Sequence, residues 1–202
     1  MKEAFIARLF STPVVIYVLD DDLDILEDIK NEEYLQIDND NATPSYQSSN
    51  LFILEKYPEV KEAVIKQFNI FKNSVMKYND TSFKLTTSWA TKTTKESYSH
   101  FHDHKNSFFS GVLYLNNGKD FAPLVFSDRN GRNTSFLIDP TEHNEFTSEE
   151  WRVQPQKNMI VFFPSSTLHK IGKHNNDEDR YSIAFNFFPQ GKYGREDSQV
   201  VL

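Results

Sequence analysis

The stretch "SYSHFHDHKNSFFSGVLYL", residues 97–115, sets His100, His102 and His104 at every second position and then runs into an apolar, aromatic-rich segment. Alternate side chains of a β-strand share a face. A strand reaching back to residue 100 would therefore aim all three imidazoles one way, with Phe101 and Asp103 opposite. Two readings are open here: a metal site at the mouth of a strand, or a polar strand end whose histidines face water. His-x-His alone does not choose between them.

Further along, His169 follows "NMIVFFP" (158–164), a near-continuous apolar run ended by Pro164 that reads as a buried strand. After the turn-forming "HNNDED" (174–179) comes "RYSIAFNFF" (180–188). Its alternation puts Arg180, Ser182, Ala184 and Asn186 on one face and Tyr181, Ile183, Phe185 and Phe187 on the other. An arginine and a serine aimed together suit a carboxylate, which accepts a fork of guanidinium hydrogen bonds and one more from a hydroxyl.

The flanking sequence sets the fold class. "SFKLTTSWATKT" (82–93) alternates, and strand-like runs follow at 108–116, 121–126, 134–138, 151–154, 159–163 and 181–188, separated by turns such as "NNGKD" and "DRNGRN". Ahead of them "PVVIYVLD" (13–20) reads as a first strand. "DDDLDILEDIKNEEYL" (20–35) reads as a short acidic helix, and the Asn/Ser/Pro-rich "QIDNDNATPSYQSSN" (36–50) as a loop. "PEVKEAVIKQFNIFKNSVMK" (58–77) predicts an amphipathic helix with Val60, Val64, Phe68, Phe71 and Val75 on one face and Pro58 where a missing N–H does no harm. This order predicts a mainly β protein with N-terminal helices, a jelly roll whose helices pack on one sheet. A single domain over 1–202 is expected, with helical support over about 1–80 and the jelly-roll core over about 82–189.

Composition narrows the chemistry. With 18 Phe and 9 Tyr, large rings must supply much of the burial. A balance of 22 basic against 29 acidic residues, net charge -7, with no basic stripe, argues against nucleic acid as a partner. Cysteine is absent, so any metal is held by nitrogen and oxygen donors. Charges at Lys2, Glu3 and Arg8 and the break at Ser11–Pro13 interrupt the N-terminal apolar residues, so no membrane segment is expected and the cytoplasm is the expected location.

The succession H-x-H, "SGVLYLNN", "PLVFSD", "NMIVFFPSSTLHKIGKH" and "RYSIAFNF" resembles the 2-oxoglutarate and Fe(II)-dependent oxygenases, and within them a prolyl-4-hydroxylase-like group found in marine bacteria and their phages. The resemblance covers roughly residues 85–189. It implies a double-stranded β-helix with the metal at its open end, His102, His104 and His169 as iron ligands, and Arg180 with Ser182 as the clamp on the far carboxylate of 2-oxoglutarate. It further implies that Tyr114 reaches that carboxylate and that Asn186 lies on the cosubstrate face. The activity implied is hydroxylation of a peptide, protein or small molecule with dioxygen, releasing succinate and CO2. The second ligand in the superfamily is normally a carboxylate, whereas residue 104 is His and Asp103 stands one place out of register.

Three functional readings follow: the oxygenase; a three-His cupin-type dioxygenase without 2-oxoglutarate; and a non-catalytic or non-redox metal-binding jelly-roll module. Arg180-x-Ser182 favours the first. His100 is expected beside the metal site or in solvent, His143 and His174 in polar loops without a role, and Trp89 and Trp151 in the core or pocket wall. Substrate choice is expected in the loops 39–50, 91–99 and 128–147. Oligomeric state, a homodimer included, is open.

Overall fold

The computed structural model describes residues 11–20, 23–37, 45–128 and 140–202. In chain order the elements are β1 (Val15–Val18), α1 (Leu26–Lys30), β2 (Tyr34–Ile37), β3 (Ser45–Ser48), a 3-10 turn (Ile53–Lys56), α2 (Pro58–Ser74) and β4 (Ser82–Thr93). Then follow β5 (Phe109–Tyr114), β6 (Leu124–Ser127), β7 (Glu150–Val153), β8 (Met159–Pro164), β9 (His169–Ile171), β10 (Arg180–Gln190) and a terminal hairpin of β11 (Lys192–Tyr193) and β12 (Val200–Val201). A major sheet runs β1-β8-β5-β10-β4-β3-β2 and a minor sheet β7-β6-β9. Their strand pairs are antiparallel. The chain has the mostly β, double-stranded β-helix class that its sequence predicts.

Alternation along β10 divides the protein into two cores. Tyr181, Ile183, Phe185 and Phe187 point outward from the sandwich and meet the apolar stripe of α2, where Val60, Val64, Phe68 and Phe71 are buried. The Phe68 ring stacks on Phe187 at 3.8 Å between centroids, and Phe71 stacks on Phe162 at 5.6 Å. Offset ring pairs add to the stabilisation that area burial alone provides. The other face of the sheet meets the minor sheet through Val112, Tyr114, Leu124, Phe126, Val153, Val161 and Phe163. Gly111 sits where β5 crosses between β10 and β8, and a Cβ there would collide with the Phe185 ring and the Val161 carbonyl.

Three expectations need correction. The acidic helix is a short turn, Leu26–Lys30, and Tyr34 already belongs to β2. The expected loop 36–50 contributes Gln36–Ile37 to β2 and Ser45–Ser48 to β3; Tyr46 pairs with Lys92 and Gln47 with Thr91, so the open edge of β4 supplies ladder partners that override local Asn/Ser preferences. Helix α2 ends at Ser74, which leaves Val75 past the last turn and 43% exposed. The strand expected at 134–138 falls outside the described residues. Among the described residues no helix is long and apolar enough to cross a membrane.

Candidate functional site

Strand β5 starts only at Phe109, so the alternation that would align His100, His102 and His104 as one strand face does not operate. Two backbone anchors position the histidines instead. His102 N–H donates to His169 O and His169 N–H to His102 O, each at 2.9 Å, which lays residue 102 directly against β9. His104 N–H donates to Ser165 O at 2.9 Å, tying the next turn to the end of β8. His100 stands outside this arrangement, lining a surface groove of about 360 Å³ with Tyr98, Phe101 and Lys170.

The result is one cluster. His102, His104 and His169 each present a ring nitrogen within 4.8 Å of the others, and His104 Nε2 lies 3.2 Å from His169 Nε2. The orientation of two rings is fixed from behind. His102 Nδ1–H donates to His100 O and His169 Nδ1–H to Thr167 O, each at 2.9 Å, which leaves each Nε2 as the free lone pair. Burial, reinforced by His102, pushes His104 down to about 4. Burial, again with His102 as the next cause, pushes His169 down to about 3. Both rings are neutral at neutral pH, the form that ligates a metal. Asp103 stands outside the cluster, its carboxylate held by Lys105 Nζ at 2.8 Å.

The aromatic surroundings divide. The Trp89 ring lies beside the cluster, its centroid 5.7 Å from that of His104. Trp151 is 57% exposed rather than core, because it sits on β7, the edge strand of the minor sheet. It faces Phe126, which on its other side faces His169, so Trp151, Phe126, His169 and His102 form one rung across the minor sheet.

Along β10, Ser182 lies opposite Tyr114 on β5 and Thr91 on β4, and Arg180 lies opposite Thr93. Arg180 is 2% exposed, its guanidinium carbon 5.3 Å from the Tyr114 ring centroid. Its Nη1–H donates to Ala122 O at 2.9 Å, while Nε has no hydrogen-bond partner. Burial holds the guanidinium below its usual range and the Tyr114 phenol above its own, each partly offset by the other group. Ser182 and Thr91 join hydroxyl to hydroxyl at 2.6 Å. Asn186 shares this face but is satisfied within the protein. Ser110 Oγ–H donates to its Oδ1 at 2.7 Å and its Nδ2–H to Thr87 Oγ1 at 3.1 Å. Ser110 continues to Ser165 at 2.8 Å, the residue whose carbonyl anchors His104.

The sequence reading misses Thr91, Thr93, Ala122 and His174. The alternation of 82–93 marks Thr91 and Thr93 as facing one way, but not that β10 is the neighbouring strand. His174, expected in a polar loop, is fully buried: its Nδ1 accepts from Ala122 N–H at 3.1 Å and its Nε2–H donates to Glu178 O at 2.8 Å. It thereby anchors Ala122 from its N–H side, the residue whose carbonyl receives Arg180. His143 is exposed.

Residues 87–186 match the protein family described as "Putative 2OG-Fe(II) oxygenase". Among curated proteins no sequence relative matches. Solved structures share the fold. An oxidoreductase of the 2OG-Fe(II) oxygenase family from Burkholderia pseudomallei is 11% identical, with a TM-score of 0.61 over 86% of this chain and 84% of that one. A prolyl-4-hydroxylase from Pseudomonas putida is 14% identical, with a TM-score of 0.59 over 87% of this chain and 93% of that one. HygX from Streptomyces hygroscopicus, solved with nickel and 2-oxoglutarate bound, is 10% identical, with a TM-score of 0.55 over 87% and 82%.

Proposed function

On the premise that residues 87–186 belong to the 2OG-Fe(II) oxygenase family, we propose that the protein is an Fe(II)- and 2-oxoglutarate-dependent dioxygenase that hydroxylates a peptide, protein or small-molecule substrate. One observation carries the reading beyond a bare metal site. Arg180 is buried beside the aromatic ring of Tyr114 with its Nε edge unpartnered and, among the described residues, no carboxylate paired to it. A buried cation without a counter-ion is costly unless a ligand supplies one. The far carboxylate of 2-oxoglutarate is that counter-ion.

When bound, Fe(II) with 2-oxoglutarate and dioxygen supplies the oxidative decarboxylation to succinate and CO2 that drives hydroxylation of a C–H bond. His102, His104 and His169 would hold the metal through ring nitrogens, a donor set that suits Fe(II). Arg180, with Tyr114 and Ser182, holds the far end of the cosubstrate and sets its orientation. Phe126 and Phe163, with ring centroids 6.1 and 4.7 Å from His169, keep water from the inner side of the metal site. A prolyl substrate is one member of the proposed class, supported by fold similarity to prolyl hydroxylases.

The test is anaerobic addition of Fe(II) and 2-oxoglutarate, then oxygen. A visible metal-to-ligand charge-transfer band followed by succinate is the expected result. Absence of both overturns the reading, and oxygen uptake that does not require 2-oxoglutarate supports the three-His cupin alternative instead.

A further inference from the structure

We infer that Thr93 is a further cosubstrate-binding residue, its hydroxyl donating to the distal carboxylate of a 2-oxo dicarboxylic acid beside the Nε edge of Arg180; this rests on the function proposed above. Four buried side-chain atoms lack a hydrogen-bond partner among the described residues: Thr93 Oγ1, Asn158 Oδ1, Thr167 Oγ1 and Arg180 Nε. Thr93 and Arg180 are directly opposed in the β4–β10 ladder. Side chains directly opposite in an antiparallel pair lie on one face with neighbouring Cβ atoms. The face is the inner one, because Thr91, two residues before Thr93, bonds the side chain of Ser182, two residues after Arg180.

Both members of the pair are closed off from water, Thr93 at 1% and Arg180 at 2% exposure. A buried donor left unsatisfied is destabilising, and valine would fill the same place in a strand without that penalty. An orphaned hydroxyl and an orphaned guanidinium N–H on directly opposed residues are two donors that one carboxylate satisfies together, accepting from the Thr93 O–H and the Arg180 N–H. Ala122 O fixes the Nη1 end of the guanidinium, so the Nε edge is the part left to a ligand. The pair is thus a selector for a carboxylate at the far end of the 2-oxo acid.

The measurement is the affinity of the anaerobic, metal-loaded protein for 2-oxoglutarate, read from the charge-transfer band or by calorimetry, in wild type, Thr93→Val, Thr93→Ala and Thr93→Ser. Thr93→Val should weaken 2-oxoglutarate binding on the order of tenfold to a hundredfold, the loss of one hydrogen bond to a charged group. Thermal stability of the ligand-free protein should be unchanged or higher, metal affinity unchanged, and Thr93→Ser should restore binding. Affinity for 2-oxobutyrate, which lacks the distal carboxylate, should be the same in wild type and Thr93→Val. Wild-type affinity for 2-oxoglutarate in both Thr93→Val and Thr93→Ala overturns the inference, as does a fall in thermal stability without a change in affinity. A wild-type protein that binds metal but no 2-oxoglutarate overturns the oxygenase reading itself.

Discussion

His102 and His169 face one another across a reciprocal backbone bridge, each N–H donating to the other's carbonyl at 2.9 Å. A metal held by both rings therefore staples the segment before β5 to the minor sheet, and its binding should stabilise the fold. At one hundred times its dissociation constant, Fe(II) or Ni(II) should add about 2.7 kcal/mol. Thermal melts with and without metal measure this. His169→Ala should abolish the metal-dependent shift, and a shift that persists would place the metal elsewhere.

His104 and Asp103 compete on paper for the second ligand position, but Asp103 is turned to Lys105 and His104 to His169. His104→Ala should lower iron content at equal loading by at least about tenfold, the size of effect that loss of even a supporting metal contact has. Asp103→Ala should leave iron content near that of the wild type. The reverse result would move the ligand assignment to Asp103.

Arg180 is a buried cation with no carboxylate paired to it among the described residues. Arg180→Met keeps bulk and removes charge, so the ligand-free protein should unfold at the same or a higher temperature. Binding of 2-oxoglutarate should be lost while metal binding stays. Loss of metal together with 2-oxoglutarate would show that Arg180 supports the metal cluster rather than the cosubstrate.

The two buried histidines make the metal-free protein acid-sensitive. Their folded-state values, about 4 for His104 and about 3 for His169, lie below the ordinary 6.5. The unfolded chain therefore binds more protons in between, and stability falls as pH drops below 6.5, by about 1.4 kcal/mol per pH unit for each group until its folded value is reached. Denaturant melts of the metal-free protein at pH 7, 6 and 5 check the sign. In His104→Ala the slope should be shallower.

The outer core depends on rings meeting at one point. Phe68 stacks on Phe187 and touches Phe71, Phe83, Phe109 and Phe162 as well. Phe68→Ala should destabilise by about 3–5 kcal/mol, measured by chemical denaturation. Since Phe68 lies on the side of the major sheet away from the histidines, metal affinity of the folded fraction should be unchanged.

Strand periods and turn residues made β4, β8 and β10 legible from local sequence, because a buried strand shows its face as alternation or as a continuous apolar run. The stripe of α2 was equally plain. The edge hairpin of β2 and β3 was hidden. Its residues favour loops, and only the unfilled edge of β4 makes them strands.

Local sequence reveals which side chains point together along one strand: Arg180 with Ser182 and Asn186, Phe185 with Phe187. A two-residue period is a property of the backbone, independent of what lies beside it. Which strands lie side by side follows from long-range pairing and packing, which the folded chain alone reveals. It brought His102 against His169 and Thr93 against Arg180, and it replaced the expected His100–His102–His104 strand face by two hydrogen-bonded anchors. The three-histidine cluster and the Thr93–Arg180 pair are both products of such pairings, because each draws its members from segments far apart in the chain.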